Sequence, residues 1–155
     1  MNSIDGGARS HVLELLEGRS AHIDLESGLK DFPIERINDK PAGLPYTAWQ
    51  LLEHVRIAQW DILDFSRNPN YKEMKWPDDY WPKDEGTSKK WKESLKQVLS
   101  DLQEMRELVQ DESTDLFGKI PHGDGQTILR EAMLIADHNA YHLGQLVLLK
   151  KMISV

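Results

Sequence analysis

The sequence has 155 residues, of which 39% are hydrophobic and 29% charged, values typical of one globular domain with a buried core. We therefore predict a single domain over residues 1–155, and the absence of cysteine excludes a disulfide scaffold, a cysteine nucleophile and thiolate metal ligands from this chain. The formal net charge of −7 argues against a nucleic acid or an anionic membrane as partner, because both are bound through clusters of basic residues.

No segment of the sequence has the composition of a membrane span or a targeting signal. No apolar run approaches the roughly 20 residues that a membrane-spanning helix needs. The N-terminal segment from Met1 to Ser10 has no apolar block of the kind that a secretory signal carries. We therefore expect a cytoplasmic protein, and a composition without cysteine is compatible with that compartment.

Four stretches are predicted to form helices, and the first two occupy the N-terminal half. The first runs from about residue 9 to residue 29, is weakened by Gly18, and is closed by Pro33. Its apolar stripe consists of Val12, Leu13, Leu15, Leu16 and Ile23. The second begins at Thr47, where Thr47-Ala48-Trp49-Gln50 matches a capping box, and ends at Asn68-Pro69-Asn70.

The other two predicted helices lie in the C-terminal half. The third runs from about Thr87 to Gln110, where apolar residues recur at steps of three and four. The fourth runs from about Gln126 to Met152, after the breaker Pro121-His122-Gly123-Asp124-Gly125. Four amphipathic helices around one core predict an all-α four-helix bundle. The links are long for a simple up-and-down bundle, so we predict one or two crossover connections.

The link between the second and third helices, residues 68–86, is rich in aromatic residues and proline. It contains Tyr71, Trp76-Pro77, Tyr80 and Trp81-Pro82. Because large aromatic side chains are rarely left in water, one interpretation is a loop that packs across an end of the bundle. The alternative interpretation is a wall or lid of a ligand pocket, since long ordered loops are often functional.

Three histidines on two predicted helices form a candidate metal site. His138 and His142 are four residues apart, so they share one face of the fourth helix and could converge on one ion. His54, inside the second helix and beside its apolar stripe, is the best candidate for a third ligand. Three neutral imidazoles leave coordination positions open, as in catalytic sites, whereas a structural zinc site usually has four protein ligands. The alternative is that these histidines are hydrogen-bonded core residues.

Two carboxylates are placed to assist such a site. Asp61 is seven residues after His54, and Glu131 is seven residues before His138, so each lies two turns along the same helix face as a histidine. Either could act as a general base or orient a ligating imidazole, although charged side chains are mostly exposed. Further candidates for the pocket are Tyr141, Gln145 and His22.

Two segments of the chain resemble a known family. Ala136-Asp137-His138-Asn139-Ala140-Tyr141-His142-Leu143-Gly144-Gln145 resembles the fourth-helix motif of the DinB-like (DinB/YfiT) superfamily, and Leu44-Pro45-Tyr46-Thr47-Ala48-Trp49-Gln50-Leu51-Leu52-Glu53-His54 resembles the entry to its second helix. The resemblance implies a four-helix bundle with non-sequential connections, often a homodimer, that holds a divalent metal ion, typically nickel or zinc. Transferred to this chain, the implied ligands are His54, His138 and His142.

The resemblance leaves the reaction open, and we consider three functions. The first is a metal-dependent transferase in which the ion lowers the pKa of a low-molecular-weight thiol, such as bacillithiol or mycothiol, and presents its sulfur to a small electrophile. The second is a hydrolase that uses metal-bound water, with a carboxylate such as Asp61 as the base. The third is a non-catalytic metal-binding or dimerisation module.

Overall fold

A computed structural model describes residues 3–18, 20–41 and 43–154 of the chain, which are almost entirely helices and their connections. The α-helices are α1 (Ser3–Glu17), α2 (Leu25–Leu29), α3 (Ala48–Arg67), α4 (Ser88–Gln110) and α5 (Ile128–Ile153), and a 3-10 turn (Ile34–Arg36) lies between α2 and α3. Within these residues the only β-type pairing is one bridge between Lys119 and Thr127, so the all-α prediction is confirmed. Every helix in the same part of the chain is too short or too polar to traverse a membrane.

The prediction of one helix from residue 9 to residue 29 is wrong, because the chain breaks there into α1 and α2. Gly18 has a φ of +67°, in the left-handed region that glycine adopts readily, and its amide donates to the Leu15 carbonyl oxygen at 3.1 Å. A new helix then starts at Asp24, whose side chain accepts a hydrogen bond from the Ser27 amide at 2.8 Å. As a consequence Leu15 and Ile23 are half exposed instead of buried.

The three long helices begin where the sequence predicted, within two residues, and each follows a threonine cap. The side-chain oxygens of Thr47, Thr87 and Thr127 accept hydrogen bonds from backbone amides in the first turns of α3, α4 and α5, respectively. The predicted capping box at Thr47 is confirmed, because Gln50 Oε1 also accepts a hydrogen bond from the Thr47 amide at 3.0 Å. These starts depend only on local sequence.

The order of the helices around the bundle differs from their order along the chain. Helix α3 packs against α4 and α5, and α1 packs against the same two helices from the other side. Helices α1 and α3 therefore lie at opposite corners, as do α4 and α5, which touch much less. The connections over residues 18–47 and 111–127 must then cross the bundle, which agrees with the predicted crossovers.

A buried arginine attaches α1 to the end of α4. Arg9 is 6% exposed, and its Nη1 donates to the Val109 carbonyl oxygen at 2.6 Å and to that of Asp111 at 2.9 Å. Its Nη2 donates to the Thr114 carbonyl oxygen at 2.5 Å. These carbonyls belong to a helix end, which lacks intrahelical partners and carries the negative end of the helix dipole. Arg9 therefore stabilises the start of the connection to α5.

The core consists of two apolar clusters with a polar layer between them along α3, α4 and α5. One cluster includes Trp49, Leu52, Val55, Trp91 and Leu146, and the other includes Leu63, Met105, Leu116, Ala132 and Ile135. In the layer between, the fully buried Gln59 donates to the Val98 carbonyl oxygen at 2.7 Å and accepts from Asn139 Nδ2 at 2.6 Å. These bonds avoid the cost of an unpaired buried amide and tie the three helices together at mid-height.

The loop before α4 is held against the start of α3 by a close approach at Gly86. A Cβ added to Gly86 would lie 2.6 Å from Cγ of Trp49, whose ring is buried and whose Nε1 donates to the Asp84 carbonyl oxygen at 2.9 Å. The Asn38 side chain also bonds both the amide and the carbonyl of Gly86. The backbone at this point therefore has no room for a side chain.

We expect Gly86→Ala to lower the free energy of unfolding by about 1–3 kcal/mol, the usual cost of overpacking, because the Trp49 ring cannot shift. Chemical denaturation would measure the change. Gly7→Ala is the matched control, since a Cβ at this position in α1 would meet nothing within 4 Å. That variant should be neutral or stabilised by up to about 1 kcal/mol through helix propensity. Equal effects of the two substitutions would contradict the packing described here.

Candidate metal centre

Three histidine side chains meet between α3 and α5 at mid-height of the bundle. His54 comes from α3, and His138 and His142 come from successive turns of α5. One ring nitrogen of each lies within 4.8 Å of the other two, and the Nε2 atoms of His54 and His138 are 3.1 Å apart. Two nitrogens at zinc-binding distance from one ion are separated by a similar length, roughly 3.3 Å for tetrahedral angles. The structure thus brings together the three residues that the sequence singled out as ligands.

Hydrogen bonds from outside the cluster orient two of the rings. His54 Nδ1 lies 2.9 Å from the Tyr80 carbonyl oxygen, which only accepts, so Nδ1 carries the proton and Nε2 presents its lone pair to the cluster. His142 Nδ1 lies 2.7 Å from Gln145 Oε1, which orients that ring in the same way. Ligating histidines usually donate their second ring N–H to such a partner. Gln145, predicted as a pocket residue, therefore acts by positioning His142.

The electrostatic environment keeps all three imidazoles neutral at neutral pH. Burial is the main cause of a lowered pKa in each ring, and it takes the pKa of His138 to about 3 with the help of the charges that His142 and His54 would carry. His138 Nδ1 is buried and makes no well-aligned hydrogen bond among the described residues. Neutral imidazole is the form that binds zinc or nickel, so the donor set fits a divalent ion.

The aromatic link between α3 and α4 closes one side of the cluster. The Trp81 ring stacks on the His54 ring at a centroid distance of 4.0 Å and an angle of 3°, and Tyr46 stacks on the other face of Trp81 at 4.2 Å. Both interpretations of this link therefore hold, because it packs across the bundle and also forms a wall of the site. The stack restricts rotation of the His54 ring.

A cavity of about 590 Å³ opens beside His54 and His138. Its wall includes Asp61 and Glu131, which are 7% and 2% exposed, so neither carboxylate is the solvated surface group that its residue type favours. The remaining wall consists mainly of aromatic and polar side chains from the two connections that follow α3 and α4. The cluster therefore has open access to a space large enough for a small molecule.

Asp61 is held in the cavity wall by two tyrosines. Tyr71 Oη donates to its Oδ1 at 2.9 Å, and Tyr80 Oη donates to its Oδ2 at 2.6 Å. Burial together with the neighbouring carboxylate raises the pKa of both phenols above their usual range. Tyr80 also supplies the carbonyl that orients His54, so a single residue connects the carboxylate to the histidine cluster.

Glu131 has one charged hydrogen-bond partner. Its Oε1 accepts a hydrogen bond from Arg130 Nη1 at 2.7 Å, while the Arg130 side chain is largely exposed. Burial raises the pKa of Glu131, and the guanidinium of Arg130 opposes that shift. Glu131 is the most deeply buried carboxylate of the cavity wall.

The structure places three other candidates, Tyr141, Gln145 and His22, outside the lining of this cavity. Tyr141 is 65% exposed on α5, although its ring contacts that of His142 edge to face at a centroid distance of 4.9 Å. His22 lies in the turn after α1, beside a separate cavity between α1, α2, α4 and α5. The break at Gly18 removed it from the helix on which the expectation depended.

Several residues of the cavity wall were not singled out from the sequence. They are Glu73, His122, Gln126 and Arg130, whereas Tyr71, Trp76 and Tyr80 were expected only as part of the aromatic link. Most of them lie in connections, where no periodicity relates a residue to a helix face, and the only sequence signal was the aromatic content of residues 68–86. His122 is held in place by a 2.8 Å contact between its Nε2 and the Phe65 carbonyl oxygen.

We expect the metal-free protein to lose stability as the pH falls below about 6.5, the usual pKa of histidine. Between that value and the lowered pKa of His138, the unfolded chain binds a proton that the folded chain does not, so the free energy of unfolding decreases with falling pH. Each such group contributes a slope of up to about 1.4 kcal/mol per pH unit.

Urea denaturation of chelator-treated protein between pH 7.5 and 5 would measure this slope, with His138→Gln beside the wild type. The variant should show a smaller slope, because it lacks one of the three groups that take up a proton only on unfolding. Identical slopes would show that His138 is protonated equally in the folded and unfolded states.

Comparison with known proteins identifies the family. The family model of the DinB superfamily matches residues 19–146, which is most of the chain, and the chain therefore belongs to this superfamily. The resemblance seen in the two histidine-bearing segments is thus confirmed. No curated protein and no solved structure matches the chain.

Proposed function

We propose that this member of the DinB superfamily is a divalent-metal-dependent enzyme that uses His54, His138 and His142 to hold its ion and acts with a low-molecular-weight thiol. The observation that carries the proposal is the convergence of three neutral imidazoles, two of which, those of His54 and His138, line a cavity of about 590 Å³. Within the described residues, no fourth histidine or carboxylate joins this group. Coordination positions facing the cavity are typical of catalytic sites and not of closed structural ones.

The composition of the chain points to a thiol supplied from outside. The bound ion, for which zinc and nickel are the best candidates, favours the deprotonated form of a thiol that coordinates it. The chain has no cysteine of its own, so the sulfur must belong to a cosubstrate. The thiol proton would pass to solvent, the sulfur would form a bond to an electrophilic carbon, and the leaving group would depart with its bonding electrons.

The residues around the cluster support this function through positioning. Tyr80 and Gln145 hold the rings of His54 and His142 so that their lone pairs face the same space. The stacked Trp81 covers His54 on the side away from the cavity, which limits access of water from that direction. The substrate therefore approaches through the cavity side only.

A hydrolase is the second candidate, because Asp61 is a buried carboxylate in the wall of the cavity that His54 and His138 also line. In that reaction a bound ion would lower the pKa of a water molecule, and the carboxylate would be the final acceptor of its proton. Asp61→Asn separates the two functions. It should abolish hydrolysis of an activated ester panel if the protein is a hydrolase, and should leave metal-dependent thiol conjugation measurable if it is a transferase.

We expect purified wild-type protein to contain about one nickel or zinc ion per chain, and His138→Ala to lose it while its circular dichroism stays helical. Plasma mass spectrometry would measure the metal. His122→Ala is the matched control, since this histidine lines the same cavity outside the cluster, and it should keep the ion. Absence of metal from all three proteins after addition of nickel and zinc would leave a binding module as the explanation.

The metal-loaded protein should conjugate monochlorobimane to at least one small thiol, and chelation should reduce the rate by at least about tenfold. Fluorescence with bacillithiol, mycothiol, glutathione and cysteine, each with and without chelator, would measure this. His138→Ala should behave like the chelated wild type. No metal-dependent rate with any thiol would contradict the transferase function.

We further propose that the protein is a homodimer that pairs through the outer face of α5. This face carries a stripe of half-exposed apolar side chains, Met133, Tyr141, Leu148 and Met152. Gly144 lies within the stripe, and the space beside it is open, which allows a second helix to approach closely. Large exposed apolar patches usually mark interaction surfaces.

Light scattering after gel filtration should give twice the chain mass of 17.9 kDa for the wild type and one chain mass for Leu148→Glu. The reason is that a carboxylate in an apolar helix interface loses its hydration without a partner. Leu15→Glu, at a similarly exposed position on α1, should remain dimeric. A monomeric wild type, or dissociation by both substitutions, would argue against this interface.

A further inference from the structure

The cavity extends away from the histidine cluster towards the two buried carboxylates. Asp61 and Glu131 lie seven residues from His54 and His138, respectively, which corresponds to roughly 10 Å along a helix axis. Helices α3 and α5 run antiparallel here, so both steps lead in the same direction through the cavity. Asp61 and Glu131 are close enough to influence each other electrostatically. The cavity therefore has a metal-binding end and a carboxylate end.

The carboxylate end carries excess negative charge. Four acidic side chains line the cavity, namely Asp61, Glu73, Asp124 and Glu131. Arg130 is the only lysine or arginine in the described lining, and it already pairs with Glu131. A ligand that brought a carboxylate or phosphate to this end would meet like charges in a partly dehydrated space, whereas a cation would compensate them.

The hydrogen-bonding capacity of the wall favours the same type of ligand. Gln126 Oε1 is a buried acceptor without a donor among the described residues, and Glu131 receives only the bond from Arg130. The phenol protons of Tyr71 and Tyr80 are both used by Asp61. The wall thus offers acceptors at Gln126 and Glu131, which complement an ammonium group with its three N–H donors.

Aromatic side chains add a third favourable feature for a cation. Phe65, Tyr71, Trp76 and Tyr80 line the same cavity, and Trp76 leaves two thirds of its surface exposed. Aromatic faces attract ammonium groups electrostatically, most strongly where water is partly excluded. The aromatic lining also accommodates the apolar chain that would connect an ammonium group to the metal-binding end.

We propose that the molecule bound in this cavity carries a primary ammonium group that binds between Asp61 and Glu131 while its sulfur faces the three histidines. The position of the sulfur rests on the proposed function, whereas the position of the ammonium group rests on the residues that line the cavity. It predicts a preference for aminothiols over thiols of equal length that carry a carboxylate.

Three six-carbon thiols that differ only in their terminal group test this preference: aminohexanethiol, mercaptohexanol and mercaptohexanoate. Each would be titrated into protein loaded with cobalt(II), where the sulfur-to-cobalt charge-transfer absorption reports binding at the histidines. We expect aminohexanethiol to bind at least about tenfold more tightly than mercaptohexanoate, with mercaptohexanol between them. Equal affinities, or tighter binding of mercaptohexanoate, would overturn the proposal.

Substitutions of single carboxylates identify which residues cause the preference for the amine. Glu131→Gln and Glu73→Gln should each reduce the preference for the amine to within about threefold, and the exposed position of Glu73 makes that variant safe for folding. Glu112→Gln removes the same charge from an exposed position outside the cavity and should leave the preference unchanged. An equal change in all three variants would show a general charge effect and would overturn the assignment of the site.

A ligand without sulfur separates failure of this inference from failure of the proposed function. If none of the thiols produces the absorption, the thiol function fails, and the ammonium site is tested alone by calorimetric titration of the same protein with hexylamine and hexanoate. Tighter binding of hexylamine, lost in Glu131→Gln, would support the ammonium site without the thiol chemistry. Equal or no binding of the two would overturn it.

Discussion

The burial of three uncharged imidazoles side by side between α3 and α5 is the constraint on which the rest of the structure depends. Rings this close would repel one another once protonated, and burial disfavours their charged forms, so the pKa of each is lowered. Partners outside the cluster take the second ring protons of His54 and His142. The lone pairs are thereby directed inward before any ion arrives, which reduces the cost of organising the site when an ion binds.

The link between α3 and α4 is part of this site as much as the helices are. Tyr80 orients His54 through its carbonyl and Asp61 through its phenol, and Trp81 stacks on the His54 ring. The loop is itself held at its far end by the contact between Gly86 and Trp49. Its aromatic side chains therefore pack against the bundle and also line the cavity, so both interpretations of the link describe the same loop.

The bundle places the site where its interior changes from apolar to polar. Gln59 connects α3 to α4 and α5 through hydrogen bonds to Val98 and Asn139, and Asn139 directly follows the ligand candidate His138. A buried amide tolerates few alternative arrangements, because each unpaired group is costly. This layer consequently sets the register of α3 against α5, on which the convergence of the histidines depends.

The sequence by itself determined the helices α3, α4 and α5, their threonine caps, and the pairing of His138 with His142, because each depends on neighbours within one or two turns. It also identified the family through those histidines. The break at Gly18 was underestimated, since a helix end is decided by backbone conformation as well as by apolar spacing. Only the tertiary structure brought His54 to α5 and Tyr71 and Tyr80 to Asp61, because these contacts join segments that no periodicity relates. The acceptor-rich carboxylate end of the cavity likewise exists only once the connections that follow α3 and α4 have packed against α3 and α5.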